Sequence, residues 1–260
     1  MLRRLWRWRE DRALARLHLE EHWDAIAASW PPAARYRGAA RARLRDTALR
    51  FLLRKQFVPG ADLELNDRMR MLVATMAAVP VLGLDLDWYR GWSSVVIYET
   101  AFVPDGEWED EFGIVHAAHE PLSGEAWPQG PVILSWADIL AAGGQEGYNV
   151  VIHEMAHKLD MLADGPNGAP PLHRDMSPAH WRRTFTAAWD RLHQAAEQNR
   201  PLPVDPYALE DSGEFFAVLS ECFFEAPERL ATSLPEVFAQ LSAFYRQDPR
   251  SGSLRSVGTF

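Results

Sequence analysis

A single cysteine, Cys222, stands in 260 residues, so no intramolecular disulfide can form and a reducing compartment fits the chain. Cys222 sits among Phe215, Phe216, Phe223 and Phe224 and reads as a small buried hydrophobe rather than a nucleophile. Long apolar runs are also missing. The longest, around Met71–Leu84, is broken by Thr75, Pro80 and Gly83 and is too short to span a bilayer. The basic segment Met1–Arg12 is not followed by an apolar stretch, so no signal peptide is expected. A soluble, cytoplasmic protein without a membrane partner is the resulting expectation. The chain carries no internal repeat, no low-complexity tract, and no helix-turn-helix or zinc-finger pattern. Its formal net charge of −9 disfavours nonspecific contact with phosphates, so no direct nucleic-acid partner is expected.

What is present is ordinary core material: 47% hydrophobic residues, 24% charged residues and 11 Trp, which serve as large core or rim anchors. The charge is uneven. Residues 1–55 hold 14 Lys/Arg against 6 Asp/Glu, a net of +8, whereas residues 56–260 carry a net of −17. This divides the chain into an Arg-rich helical N-terminal appendage, 1–55, and a domain over 56–260. The arginines suit a solvated helix face, docking onto the acidic body, or an acidic partner. Helical patterns are expected over Glu10–His22, Arg35–Arg54, Asp67–Val79, from near Glu146 through the His153 region, and over His180–Gln198, Asp211–Glu225 and Pro235–Tyr245. Ser93–Glu99 and Pro131–Trp136 read as strands, with an acidic, aromatic loop region Asp105–Glu125 between them. Helices, then short strands, then helices make the class α+β, mainly helical with a small sheet.

The segment His153-Glu154-Met155-Ala156-His157 has the form H-E-x-x-H. Residues i and i+4 of a helix lie one turn apart on one face, so His153 and His157 can reach one zinc ion per chain. Glu154 lies beside them, placed to touch a water rather than the metal. Zinc lowers the pKa of such a water to about 7, and the carboxylate takes its proton as it attacks a peptide carbonyl. His18 and His22 repeat the spacing, but Leu19 stands where the base would be and the segment is highly charged, so that pair reads as surface.

A catalytic zinc needs a third protein ligand. The metzincin extension requires Gly at 160 and His at 163; the chain has Asp160 and Ala163, which excludes that class. A Glu from a later helix is the alternative, and Ser212–Glu221 supplies one. Glu214 and Glu221 are seven apart and share a face with Ala217 and Val218. Carboxylates on an apolar stripe are costly to bury without positive compensation, which zinc and its imidazoles would provide. Glu214 is therefore the expected ligand. Glu221 is a candidate to orient a ligand histidine, against a plain salt bridge, and Asp160 is another possible orienter.

Trp108–His116, Gly130–Trp136, Asn149–Asp160, Glu214–Phe224 and Phe244–Pro249 together resemble the MtfA, or Mlc titration factor, family of bacterial cytosolic zinc peptidases. That family is similar in its core to the catalytic domain of anthrax lethal factor. The resemblance covers about residues 50–250. It implies a zincin fold of gluzincin type, with the small sheet beside the H-E-x-x-H helix. It further implies aminopeptidase activity on small substrates and binding to an Mlc-type transcriptional repressor. It supports His153, His157 and Glu214 as zinc ligands and Glu154 as base. It also points to Tyr207 as hydroxyl donor to the developing oxyanion, against a structural hydrogen bond. Finally, it associates a histidine at the position of His116 with the metal, where His116 could close the site in a resting state. The peptide-hydrolysing reading stands beside a regulatory one, in which the chain sequesters a repressor with little peptidase activity. An intact Glu154 and Tyr207 favour chemistry, because a purely structural zinc site needs neither.

Overall fold

The computed structural model describes residues 10, 12, 20–61, 63–101, 107–109, 115–117, 124–126, 129–143, 147–163 and 165–254. Among them the N-terminal part is helical: α1 (Glu20–Ser29), α2 (Pro31–Ala34) and α3 (Gly38–Arg54), with Pro31 and Pro32 opening α2. The first strand β1 (Gln56–Pro59) follows, then α4 (Asp67–Ala78), capped by Asn66, whose side chain accepts from Met69 N–H. The strands β2 (Ser94–Tyr98), β3 (Glu107–Glu109), β4 (Val115–Ala117), β5 (Gly124–Ala126) and β6 (Val132–Ser135) come next. The remainder is helical apart from a short closing hairpin: α5 (Trp136–Ala141), α6 (Val150–Asp160), α7 (Pro178–Glu197), α8 (Ser212–Glu225), α9 (Pro227–Ser233) and α10 (Pro235–Tyr245). The class is α+β, mostly helical with a small sheet.

The main sheet runs in the order β1-β2-β6-β5. β1 and β2 pair in parallel, as do β2 and β6, while β5 is antiparallel to β6 at one edge. Val95 and Ile97 of β2 and Val132 and Leu134 of β6 are fully buried, as expected of parallel strands covered by helices. β5 lies against α6, so the sheet edge and the H-E-x-x-H helix are neighbours. β3 and β4 form a separate two-stranded piece that pairs Trp108 with His116. The two strands expected at 93–99 and 131–136 are β2 and β6; the edge strand β5, only three residues long, offers no alternation to read.

Side chains from both sides of residue 55 enter one core. Trp23, Trp30, Leu44 and Phe51 belong to the same buried cluster as Met71, Ile152, Phe216 and Leu241. Apolar side chains of the helices in 20–54 thus share the core of the remainder, and some of their arginines pair with groups of the fold. Arg35 donates to the carbonyl oxygens of Phe224 (2.5 Å) and Glu225 (3.0 Å) at the C-terminal end of α8. Arg50 and Arg54 pair with Glu10. Cys222 is buried, and burial pushes its thiol pKa up. His22 is exposed, while His18 lies outside the described residues. No described helix is long and apolar enough to cross a membrane.

Candidate metal centre

The H-E-x-x-H helix α6 begins at a cap. Asn149 accepts from Ile152 N–H (3.0 Å), and the helix starts at Val150, four residues after Glu146, near which the sequence pattern places its start. Val150, Val151, Ile152, Met155, Ala156 and Leu159 are buried, which fixes the helix rotation and leaves His153 and His157 on one outward face. Glu214 comes from the first turn of α8, whose cap Asp211 accepts from Gly213 N–H (2.7 Å) and Glu214 N–H (2.9 Å).

The three side chains converge. His153 Nε2 lies 3.0 Å from one Glu214 oxygen, His157 Nε2 3.3 Å from the other, and the two imidazole nitrogens are 3.1 Å apart. A tetrahedral ion with bonds of about 2.0–2.1 Å has ligand-to-ligand edges of roughly 3.3 Å, so this donor set fits a zinc-sized ion. Among the described residues, Glu214 Oε2 makes no hydrogen bond despite its closeness to His153, and His157 Nδ1 is buried without a partner. His153, His157 and Glu214 are the group that could hold a metal ion among the described residues. Electrostatics agree. Burial opposes ionisation of Glu214, but the imidazoles of His153 and His157 hold its pKa down to about 2. Burial disfavours a charged His153, yet Glu214 and Glu221 hold its pKa well above the usual imidazole range. Three carboxylates around two imidazoles form a cluster that favours a cation.

Behind the donors stands a buried network. Glu221 accepts from His153 Nδ1 (2.8 Å) through one oxygen and from Asn149 N–H (2.5 Å) through the other. In the neutral ring that a metal would require, an Nδ1 proton held in this way leaves the Nε2 lone pair of His153 facing Glu214 and His157. Asn149 Nδ2 donates to Glu225 (2.6 Å), and Trp30 Nε1 donates to the same oxygen (3.1 Å). Asp160 is engaged differently from the orienting role considered for it: its Oδ2 accepts from Gly168 N–H (2.6 Å), pinning the loop after α6, and not from an imidazole. Asn149, Glu225 and Trp30 were not singled out by sequence reasoning. The signal for Asn149 was its position just before the apolar periodicity, and for Glu225 its place one turn after Glu221.

Glu154 is 4% exposed, and its Oε2 has no hydrogen-bond partner among the described residues. Burial raises its pKa, while His153 and His157 oppose the rise. Gly124 of β5 packs directly on it: a Cβ at this position would collide with Glu154 Oε1 and approach Val150 Cγ2 to 2.8 Å. Lys158 donates to Gly130 O (3.0 Å), tying α6 to the chain just before β6 and so to this sheet edge. Gly124→Ala is accordingly expected to displace Glu154 without touching the metal donors. Metal content should stay at the wild-type level while turnover falls on the order of 10- to 100-fold, the scale of a misplaced catalytic group. Metal analysis and kinetics on the same preparation check this; wild-type turnover would refute the packing argument.

Tyr207 lies in a 3-10 turn, Pro206–Leu209, and is 50% exposed. Its ring centroid is 6.2 Å from that of His153. Burial and the nearby Glu214 and Glu154 push its phenol pKa up to about 12, so the hydroxyl keeps its proton. The backbone of His116 lies in β4, but its side chain falls outside the described residues.

A family model, glucose-regulated metallo-peptidase M90, matches residues 5–246. Curated relatives include Mlc titration factor A of Pectobacterium atrosepticum, 35% identical over 245 residues that cover 94% of this chain and 92% of the relative. The protein of that name from Escherichia fergusonii is 37% identical over 246 residues, again 94% and 92%, and that of Salmonella agona is 41% identical over 213 residues, 80% and 79%. The match of this family model over residues 5–246, together with relatives of this identity and coverage, assigns the chain to the M90 metallopeptidase family, that of the Mlc titration factor A proteins.

Proposed function

We propose that the chain is a zinc-dependent peptidase of the zincin type, aminopeptidase-like and acting in the cytoplasm. The observation that carries this is the convergence of His153, His157 and Glu214 beside a buried Glu154 with an unpartnered oxygen. His153, His157 and Glu214 hold one zinc. A zinc bound there supplies Lewis acidity, lowering the pKa of a water to about 7 and polarising a carbonyl. Glu154 accepts the proton that the attacking water gives up and passes it to the leaving amine. Tyr207 donates its phenolic hydrogen to the oxyanion that forms on the former carbonyl. Glu221 and Asn149 keep His153 in one tautomer and one orientation. The outer edge of β5, which has no strand partner among the described residues, offers backbone groups to an extended peptide next to Glu154. His116 is assigned, on the family resemblance, as a further ligand that closes the site at rest.

The test is metal content and hydrolysis together. The purified chain is expected to hold about one zinc, and chelation to abolish cleavage of short aminoacyl and internally quenched peptides. His157→Ala and Glu214→Gln should each lose most of the metal. Full zinc retention in both variants would overturn the ligand assignment.

A second reading rests on the printed name of the relatives, which speaks of titrating Mlc. The chain then also binds an Mlc-type repressor. A stable protein partner needs about 800 Å² per side, far more than a peptide cleft supplies, so the contact must extend well beyond Glu154. Calorimetry with such a repressor is expected to give equal affinity for wild type and Glu154→Gln. Loss of binding in a folded, zinc-loaded Glu154→Gln chain would place the repressor in the active site, as a substrate. Removing residues 1–55 is not a usable control, since Trp23, Trp30, Leu44 and Phe51 belong to the core.

A further inference from the structure

The first turn of α8 serves two sites. Glu214 joins the imidazoles, while Ser212 and Phe215 line a separate concavity of about 870 Å³ bounded by the loop of residues 167–176 and by α7. Its walls are aromatic. Trp181 and Phe185 stack with ring centroids 4.2 Å apart, Phe185 meets Phe215 edge-on at 6.2 Å, and Trp189 meets Phe215 at 5.2 Å. Two polar ring atoms of these walls are already engaged. Trp181 Nε1 donates to Gly168 O (3.0 Å) and His173 Nε2 to Phe244 O (2.8 Å), so the interior presents ring faces and edges. Pockets of this size and lining are characteristic of ligand sites.

The charge around this concavity runs against that of the chain. Acidic residues outnumber basic ones, 36 to 27, yet no Asp or Glu lines the pocket among the described residues, and two arginines do. Arg174 and Arg182 are both exposed and make no hydrogen bond or ion pair among the described residues. Asp175, which could neutralise Arg174, is instead bound to Arg246. Asn167, Thr186 and Ser212 add exposed polar groups at the margin.

We propose that this pocket binds an acidic peptide segment that inserts one large apolar side chain. The aromatic walls take the side chain, the two free guanidiniums meet carboxylates flanking it, and the marginal hydroxyl and amide groups bond the peptide backbone. The volume is several times that of one side chain, which suits a stretch of peptide. A basic ligand would be repelled and a neutral one would leave both arginines unused. The proposal stands on the pocket alone and does not require that the chain hydrolyse peptides.

Calorimetry on the full-length, metal-loaded chain tests it with three capped peptides: acetyl-Glu-Phe-Glu-amide, acetyl-Gln-Phe-Gln-amide and acetyl-Glu-Ala-Glu-amide. The first is expected to bind at least about tenfold more tightly than either of the others, from two exposed ion pairs in one comparison and a buried ring in the other. In the Arg174→Gln/Arg182→Gln double variant, with an unchanged circular dichroism spectrum, the Glu and Gln peptides should bind alike. The preference should also survive removal of the metal by chelation. Equal binding of all three peptides by wild type, or no binding of any, would overturn the proposal. So would an acidic preference that persists in the double variant or that disappears with the metal, since the carboxylates would then be sitting at the metal donors.

Discussion

Glu154→Gln is expected to keep one metal ion per chain while peptide hydrolysis falls by at least about 100-fold, the usual scale for removing a general base. The substitution is nearly isosteric. It retains the contact with Gly124 and leaves His153, His157 and Glu214 as they are. What it removes is a carboxylate oxygen, Oε2, that is buried and has no partner among the described residues. Leaving such an atom unsatisfied costs about 1–3 kcal/mol, and the proposed bond to the attacking water would satisfy it. Burial raises the pKa of Glu154 and so strengthens it as a base, while the imidazoles keep it ionisable. Kinetics and metal analysis on one preparation separate the outcomes. Loss of the metal together with activity would make Glu154 a ligand and remove the base from the mechanism.

The parts of this site legible in the sequence are those set by local spacing. His153 and His157 are one turn apart, and helix geometry alone brings them together. Glu214 and Glu221 were visible as carboxylates on an otherwise apolar stripe, and their places beside the two imidazoles follow from burial that only such partners make tolerable. The helices 67–78, 178–197, 212–225 and 235–245 fall close to their expected bounds because Asn66, Ser177, Asp211 and the Pro235 turn mark their starts.

What was not legible depends on distant packing. Gly124 looks like any loop glycine until β5 is laid against α6, where its missing side chain makes room for Glu154. The link from Glu221 through Asn149 and Glu225 to Trp30 joins residues up to 195 positions apart, and no periodicity announces it. The N-terminal charge run left three readings open, and choosing among them needs distant packing. Arginine-rich helices usually read as solvated, but Trp23, Ile26, Trp30 and Phe51 lie on their inner faces, and Arg35 is directed to the carbonyl end of α8, where a cation is favoured.

Tyr207→Phe is expected to lower kcat by about 10²–10³ and to leave KM nearly unchanged, the signature of a donor that acts on the oxyanion. The ring of Tyr207 tilts beside that of His153, with centroids 6.2 Å apart, and phenylalanine can keep that contact. Only the hydroxyl is lost. A structural tyrosine would have its hydroxyl bonded within the protein, as Tyr36 does with Gln247 and Tyr245 with Ser220. Tyr207 has no such bond among the described residues, and half of it is open to solvent. Its proton is secure at any working pH, because burial and the carboxylates of Glu214 and Glu154 push the phenol to about 12. The group is therefore always a donor and never a competing base. An interaction made only as charge develops contributes to the transition state and little to substrate binding, so the loss should appear in kcat. Thermal melting of the variant should match wild type, which excludes a folding defect. A folded Tyr207→Phe chain that turns over at the wild-type rate would return Tyr207 to the role of a wall residue and leave the oxyanion to be met by other groups.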